Sequence, residues 1–413
     1  MPDDPAPDRP PYPIRTATAD SLRRFLAPLP RAFGEEHSDA EFELERPVLD
    51  PERIIAAFDG DEPVGCAGAL TQRLTVPGGE VGAAGVTLVG VTPSHRRQGI
   101  LRSLILEQFA DVRRRGEPVA ILWASEGSIY QRFGYGPGTI AGRFEIERPH
   151  AGLLRPTPRT GRIRLVDADE ALRTFPAIHD AVRPGTPGMI DRSVTWWTHL
   201  GVTDPPAWRD GGGPKTFAVH ETDGTPDGYA IYRVKADWEP RGARSRLLVS
   251  EVMSPDPVVE RALWAWLLDI DLVGTIAASR QPVPHPLQLM LEQPRRLGLM
   301  LGDGLWLRLV DVGAALAARS YATPDPLVFE VTDDVLPGNA GRWRLDGPGA
   351  VGRTEAEPDL RLDVADLAAV YLGAFRFADL ARAGRVAELR PGALDEADRA
   401  FATTVPAWCP TMF

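Results

Sequence analysis

The sequence predicts a mixed α/β (α+β) protein in which one strand–turn–helix unit occurs twice and a smaller α+β domain follows. An apolar run at 86–91 leads through a basic turn into an amphipathic helix and a second apolar run at 119–124. A similar strand, turn and helix recur at 247–269. After residue 290, the sequence has the pattern of short alternating strands and helices. Such apolar runs are typical of strands covered on both faces, and apolar residues at helical spacing indicate helices packed on a sheet.

The length of 413 residues suits two or three domains with sizeable cores. We predict a disordered lead at 1–13, a first domain at 14–155, a second at 162–290 and a third at 291–413. The lead is rich in proline and has neither a basic start nor an apolar stretch, so we do not expect a secretory signal. The proline-containing stretch at 155–161 is typical of a linker.

Composition narrows the class of protein. No run of about 18 apolar residues occurs, so we expect no membrane-spanning helix and no membrane partner. The only cysteines, Cys66 and Cys409, exclude a disulfide framework and favour the cytoplasm. The net charge of −11 argues against nucleic acid and favours cationic ligands. The seven histidines lack metal-ligand spacing, so no metal is predicted.

The basic turn of the first unit, Arg96-Arg97-Gln98-Gly99, predicts an anion site. The first N–H groups of a helix have no intrahelical partner, and the positive end of the helix dipole points the same way. Apolar residues at helical spacing follow the turn: Leu101, Leu104, Ile105, Phe109 and Val112. Taken alone, such a turn is usually a solvated loop. The strands on both sides and the helix favour a site that holds a pyrophosphate.

The second unit repeats the pattern with different chemistry. We predict a helix at 171–182, a hairpin at 217–234 that turns at Asp223-Gly224, a strand at 247–253 and a helix at 258–269. Its turn carries Pro255, Asp256, Pro257 and Glu260. Prolines remove backbone donors and carboxylates repel phosphate, so this copy is predicted to have lost the anion site.

The third domain is predicted from shorter elements. We expect strands at 305–311, 327–331, 341–345 and 360–362, and helices at 312–319, 364–372 and 375–383. We expect this domain to have a structural role.

Two motifs connect the first unit to a known family. The pattern V-x-V…R-R-x-G-I-L occurs as Val89-Gly90-Val91 followed by Arg96 to Leu101, and a longer block, ASEGSIYQRFGYG, runs from Ala124 to Gly136. The first resembles the coenzyme-A-binding core of the GNAT superfamily of acyl-CoA N-acyltransferases. The second resembles the signature of the Eis (enhanced intracellular survival) family within it. Across nearly the whole chain, the resemblance implies two GNAT-like units with one active site, a sterol-carrier-protein-like third domain and a homohexamer.

The resemblance implies that acetyl-CoA is the cosubstrate. Backbone groups of Val89, Gly90 and Val91 would position the pantetheine arm and polarise the thioester carbonyl. The turn would receive the pyrophosphate. The remaining implied cofactor-binding residues are Arg97, Gln98, Gly99, Ile100, Leu101, Arg102, Ser125 and Glu126.

The resemblance also implies two catalytic groups. Tyr130 corresponds to the general acid that protonates the leaving thiolate, with Tyr135 as the nearby alternative. Phe413 corresponds to a final residue whose α-carboxylate is the general base for the amine. Chain ends are usually polar and frayed, but this one is apolar to its last residue, so we expect it to dock into the protein. Met412 stands where the family's best-known pattern has an acid that binds the substrate.

The acceptor is expected to be a cation. An acidic cluster comprises Glu35, Glu36, Asp39, Glu41, Glu43 and Glu45. It is either a solvated helix face or, as the resemblance implies for Phe33 and Glu35, part of a cavity for the acceptor.

Our interpretation is an N-acetyltransferase for amines of polycationic small molecules, with aminoglycosides as the leading class. Transfer is direct, in a ternary complex, because neither cysteine has an identifiable base partner. The alternatives are an acetyltransferase for protein or peptide lysines or for polyamines, and a lipid-binding or assembly protein that uses the third domain.

Overall fold

The computed structural model describes residues 12–157, 160–240, 242–347 and 350–413. The predicted disordered lead therefore lies outside the described residues up to position 11, and so do positions 158 and 159 of the predicted linker. The structure contains two seven-stranded sheets, a five-stranded sheet and a small two-stranded ribbon.

The strands, in chain order, are β1 Ile14–Thr16, β2 Ile54–Asp59, β3 Glu62–Val76, β4 Gly79–Val91, β5 Val119–Trp123, β6 Gly136–Pro137, β7 Ile140–Glu147, β8 Arg162–Val166, β9 Thr216–Thr222, β10 Thr225–Lys235, β11 Trp238–Glu239, β12 Gly242–Ala243, β13 Ser245–Met253, β14 Val273–Gln281, β15 Met300–Asp303, β16 Leu305–Leu309, β17 Leu327–Thr332, β18 Gly341–Leu345, β19 Val351–Arg353, β20 Leu360–Asp363 and β21 Val386–Glu388.

The helices are α1 Leu22–Phe25, α2 Pro28–Phe33, α3 Asp39–Glu45, α4 Ile100–Arg114, α5 Gly127–Gln131, α6 Ala168–Val182, α7 Val194–Trp196, α8 Pro257–Leu268, α9 Leu287–Met290, α10 Val312–Ala318, α11 Val364–Tyr371, α12 Phe377–Arg382 and α13 Ala393–Phe401. None of the described helices is long and apolar enough to cross a membrane.

The two large sheets share one plan. The first has the order β1-β2-β3-β4-β5-β16-β6, with β4 and β5 parallel and joined by α4. The second has the order β15-β7-β14-β13-β10-β9-β8, with β13 and β14 parallel and joined by α8. A parallel pair needs a crossover connection, which here is a helix packed on the sheet. The predicted duplication of the strand–turn–helix unit is therefore confirmed.

The two sheets exchange strands. Residues 143–146 lie within the predicted first domain at 14–155, but β7 pairs with β14 of the second sheet, where Phe144 and Ile146 join the core of the second unit. We expected residues 305–311 in the third domain, but β16 pairs with β5 of the first sheet, with Leu307 opposite Ile121. The apolar side chains of each strand pack in the core of the neighbouring unit, so the two units are interlocked.

The third domain has the sheet order β19-β18-β17-β20-β21, and helices α11 to α13 accompany it. The predicted strands and helices of this region are confirmed to within a few residues. The rings of Tyr321, Phe329, Phe377 and Phe401 pack against one another in the interior. This domain therefore has an aromatic core that is filled by its own side chains.

A buried ion pair joins the third domain to the first sheet. The Arg308 guanidinium, on β16, donates to both carboxylate oxygens of Asp333 at 2.8 and 2.6 Å, and both side chains are almost fully buried. Removing one partner of such a pair leaves an uncompensated buried charge, which costs about 3–5 kcal/mol. The pair fixes the place of the third domain beside the first unit.

Candidate active site

The parallel strands β4 and β5 separate before either one ends. They pair from Ala83–Val119 to Gly85–Ile121, whereas β4 continues to Val91. A bulge against β3 accompanies the separation, and Leu88 adopts a positive φ of 55°. The backbone groups of β4 beyond Gly85 that face β5 therefore have no strand partner among the described residues. An extended ligand can pair with such an edge as an added strand does.

The turn after β4 presents backbone donors. Arg97 and Gly99 both have a positive φ, 63° and 81°, and Gly99 caps α4 without a side-chain hydrogen bond. Successive N–H groups in such a turn form a concave anion-binding surface, and the first N–H groups of α4 add to it. The predicted turn therefore has the geometry of an anion site.

The arginines of the turn differ in what they contact. The Arg96 guanidinium donates to the Ala32 carbonyl of α2 at 2.9 Å, so it braces the turn. Arg97 and Arg102 form no ion pair with the residues that the structure describes. The Gln98 side chain accepts a hydrogen bond from the Tyr12 hydroxyl. Of the arginines at the turn and the start of α4, Arg97 and Arg102 thus have guanidinium groups available for a phosphate.

A cavity of about 940 Å³ connects the turn, the separated strands and the start of α5. It is lined by ten of the eleven predicted cofactor-binding residues: Val89, Gly90, Val91, Arg97, Gly99, Ile100, Leu101, Arg102, Ser125 and Glu126. Gln98 is the exception. A strand-like edge that leads to an anion-binding turn fits a long thioester cosubstrate with a pyrophosphate in its middle, such as acetyl-CoA.

The two tyrosines of the signature block have different environments. Tyr130 lines the cavity and is 7% exposed. Burial raises the pKa of Tyr130, so its hydroxyl stays protonated at neutral pH. Tyr135 is fully buried, and its hydroxyl has no hydrogen-bond partner among the described residues. Of the two, Tyr130 is the one that faces the cavity.

The end of the chain docks where β4 and β5 part. The ring of Phe413 lies against Gly85, so a Cβ at that glycine would stand 3.2 Å from a ring carbon. Two residues earlier, the Thr411 carbonyl accepts a hydrogen bond from the Trp123 indole at 2.8 Å, and the Thr411 side chain is buried. The expectation of a docked terminus is confirmed, and a residue larger than glycine at position 85 would displace it.

The predicted acceptor residues are not brought together in one place. Phe33 lines the cofactor cavity and is 51% exposed, whereas Glu35 is a solvent-exposed residue just after α2. Within the acidic cluster, Glu41 closes the capping box of α3. Glu45 lies 3.1 Å from His37 and lines a separate cavity of about 360 Å³ together with Met412. Burial raises the pKa of Glu45. Within the acidic cluster, Glu45 rather than Glu35 therefore lies in a cavity that the end of the chain also lines.

The second unit lacks the anion site, as predicted. Helix α8 is capped by the Asp256 carboxylate, which accepts the Val258 N–H at 2.7 Å, and Pro257 occupies the first helical position. A carboxylate in this position neutralises the helix end and repels a phosphate. The Val258 N–H is thus occupied by a side chain of the protein, whereas the start of α4 has no side-chain cap.

Several residues at the site were not predicted individually from the sequence. The cavity is also lined by Ala32, Ile129, Arg132 and Phe133, and the docked terminus is held by Trp123 and Arg192. Ile129, Arg132 and Phe133 lie inside the signature block, so the block indicated their neighbourhood. Ala32 and Arg192 come from distant parts of the chain that only the folded structure brings near.

The comparisons with known proteins agree with this geometry. A sequence-family model described as an acetyltransferase (GNAT) domain matches residues 13–138, another of the same description matches 188–309, and a sterol carrier protein domain matches 312–410. An uncharacterized N-acetyltransferase of Streptomyces avermitilis is 43% identical over 408 residues, covering 97% of this chain and 99% of the relative. The N-acetyltransferase Eis of Mycobacterium tuberculosis is 36% identical over 361 residues, covering 85% of this chain and 86% of the relative.

Among solved structures, Eis1 from Mycobacterium abscessus superposes with a TM-score of 0.84 at 36% identity, covering 97% of this chain and 100% of that one. The match extends over all three domains, including those that carry the turn, the signature block and the docked terminus. The chain therefore belongs to the Eis family of GNAT acetyltransferases and is a GNAT-type N-acetyltransferase with two GNAT domains followed by a sterol-carrier-protein-like domain.

Proposed function

We propose that the enzyme transfers the acetyl group of acetyl-CoA directly to the amine of a polycationic small molecule, in a ternary complex. The observation that carries this proposal is the docking of Phe413 against Gly85, at the mouth of the gap between β4 and β5. The cavity that Tyr130 lines begins four residues further along β4, at Val89, so we infer that the terminal carboxylate reaches the acceptor amine there. Tyr130 as general acid and the Phe413 carboxylate as general base would then act on the bound thioester and amine from two sides.

Acetyl-CoA supplies a thioester carbonyl as the electrophile. The backbone of Val89 to Val91 would hold the pantetheine arm along the edge of β4. Arg97, Arg102 and the N–H groups from Gly99 onwards would hold the pyrophosphate. These contacts fix the thioester beside the acceptor amine, which replaces a bimolecular encounter by a positioned reaction.

Two proton transfers accompany the reaction. The amine must lose a proton to attack, and the departing thiolate must gain one. We assign the first to the Phe413 α-carboxylate, because the half-buried Phe413 holds the end of the chain against β4. We assign the second to Tyr130, whose raised pKa keeps the proton available until the thiolate forms.

Direct transfer is supported by the state of the two cysteines. Both are buried, and burial raises the pKa of the Cys66 and Cys409 thiols to about 12. A thiol that stays protonated is a poor nucleophile. An acetylated cysteine intermediate therefore has no support among the described residues.

The acceptor class is the finer part of the proposal. Aminoglycosides remain the leading class because a multiply charged amine suits an enzyme of net charge −11 whose docked end adds a carboxylate. Glu45 is a further acid beside the end of the chain, since it lines a cavity that Met412 also lines. Lysine side chains of proteins or peptides and polyamines are the alternative acceptors, and Met412 in place of an acid favours altered regiospecificity.

The rival from another class, a lipid-binding or assembly protein, has less support. The interior of the third domain is filled by packed aromatic rings, which leaves a lipid chain without a tunnel between them. That the protein forms a homo-oligomer, specifically a hexamer, stays a prediction. It is supported by β15, an edge strand on which Met300 and Leu301 are more than half exposed. A cytoplasmic location also stays a prediction.

Replacing Arg97 by Gln together with Gly99 by Ala should weaken acetyl-CoA binding. A charge is lost, and a Cβ is added where φ is positive and the backbone approaches phosphate. We expect the Kd for acetyl-CoA to rise about tenfold or more, measured by isothermal titration calorimetry. Arg114→Gln, at the other end of α4, is the matched control. An unchanged Kd in the double variant would reject the phosphate-binding turn.

Replacing Tyr130 by Phe removes one hydroxyl and should lower kcat by a factor of about 10² to 10⁴, the usual contribution of a general acid. The melting temperature should stay close to that of the unmodified enzyme. Tyr135→Phe is the control, because the hydroxyl that it loses is buried away from the cavity. If both variants turn over at the same rate as the parent, another group donates the proton.

The acceptor class can be tested with a panel containing the aminoglycoside kanamycin, spermine and a lysine peptide. Free coenzyme A thiol is measured against an acceptor-free control. We expect the highest kcat/KM with kanamycin. Acetylation confined to the peptide or to spermine would replace the proposed acceptor by an alternative. No stabilisation by acetyl-CoA, together with co-purified lipid, would favour the lipid-binding rival.

A further inference from the structure

The last seven residues run from the second GNAT unit to the first. The Trp408 indole donates to the Arg280 carbonyl at 2.7 Å, and the Trp408 N–H donates to the Pro187 carbonyl at 2.8 Å. Arg280 lies on β14 just beyond Ala278, where the pairing of β14 with β13 ends. In the second unit, the place where the parallel strands part is therefore occupied by the protein's own C-terminal segment.

Thr411 is held from both units at once. The Arg192 Nε of the second unit donates to the Thr411 hydroxyl at 2.9 Å, and the Trp123 Nε1 of the first unit donates to the Thr411 carbonyl at 2.8 Å. Thr411 is 1% exposed. Only two residues separate Thr411 from the terminal carboxylate, a span of at most about 7 Å in an extended chain. The place of Thr411 thus limits where the carboxylate can be.

The side chain of Arg192 is itself held in place by an ion pair. Its two terminal nitrogens donate to both oxygens of Glu251 on β13, at 2.9 and 2.6 Å, and the Tyr229 hydroxyl also donates to Glu251. Burial alone would raise the pKa of Glu251, but the charge of Arg192 and its hydrogen bonds lower it to about 2. A buried bidentate pair of this kind stays ionised and has one geometry.

The first unit also holds the segment that carries Arg192. Residues 188–191 run along the end of β3, where the Thr75 N–H donates to the Met189 carbonyl at 2.8 Å and Leu74 bridges to Ile190. Arg192 is therefore positioned with respect to both sheets. Its Nε, the one guanidinium nitrogen not used by Glu251, is the nitrogen that reaches Thr411.

We propose that Arg192 and Trp123 act as positioning residues for the reaction: they clamp Thr411 and thereby set the place of the Phe413 carboxylate at the amine. The inference rests on the proposed role of Phe413 as the base. In this proposal the second GNAT unit positions the general base instead of binding a cofactor. Its Arg192–Glu251 ion pair and the gap between β13 and β14 hold the end of the chain. Neither residue is among those that line the cavity proposed for acetyl-CoA.

The test compares Thr411→Val with Thr411→Ser, using kanamycin or the best acceptor of the panel. The valine variant keeps the shape of the side chain but offers Arg192 no acceptor, whereas serine restores the hydroxyl. We expect Thr411→Val to lower kcat by about 10- to 100-fold at unchanged KM for acetyl-CoA, because a small misplacement of a reacting group is costly. Thr411→Ser should recover most of that loss. Thr75→Val is the control, since the buried Thr75 hydroxyl has no partner among the described residues.

Trp123→Phe provides a second variant that removes the other hydrogen bond to Thr411, and it should lower kcat in the same way. Unchanged kcat in both variants would overturn the clamp. So would a fall in kcat accompanied by an equal loss of acetyl-CoA affinity and a lower melting temperature, because that pattern reports a structural role. Deletion of Phe413 separates the two proposals: full activity without Phe413 rejects the base, whereas an inactive deletion beside a fully active Thr411→Val rejects the clamp alone.

Discussion

Thr411 accepts one hydrogen bond from each GNAT unit, and in our proposal the placing of the general base depends on this shared contact. The contact exists because the two sheets are interlocked through β7 and β16, which fixes Arg192 and Trp123 on opposite sides of the C-terminal segment. A chain terminus on the surface would be mobile. Here residues 407–411 are buried, and the half-buried final ring packs on a glycine of β4.

The two units show how one fold can diverge through a few residues. Both open a gap between parallel strands, and both start a helix at the gap. In the first unit a glycine at the helix start leaves N–H groups free for an anion. In the second unit Asp256 occupies them, and the strand gap receives Trp408. Beyond the docked ring of Phe413, the first gap lines the cavity proposed for acetyl-CoA, whereas the second gap holds Trp408.

Much of the fold and part of the site could be predicted from local sequence. The turn, the signature block and the proline- and acid-containing turn of the second unit are contiguous, so their chemistry is visible in the order of residues. The strand exchange was not predictable, because β7 and β16 have the apolar pattern of a strand in either sheet. Periodicity shows that a face is buried but not which core it joins. Likewise, the exposure of Glu35 depends on how the chain leaves α2, and the location of Glu45 depends on how α3 packs. The Arg192–Thr411 contact joins residues more than 200 positions apart.

The central claim is that the terminal carboxylate of Phe413 takes the proton from the amine. The most direct test compares the protein ending in Phe413 with the same protein carrying a C-terminal carboxamide, which removes the charge and keeps every side chain. We predict that the amide binds acetyl-CoA with unchanged Kd but that its kcat falls by at least about 10², the range expected for loss of a general base. Equal kcat for acid and amide would contradict the claim and remove Phe413 from the mechanism.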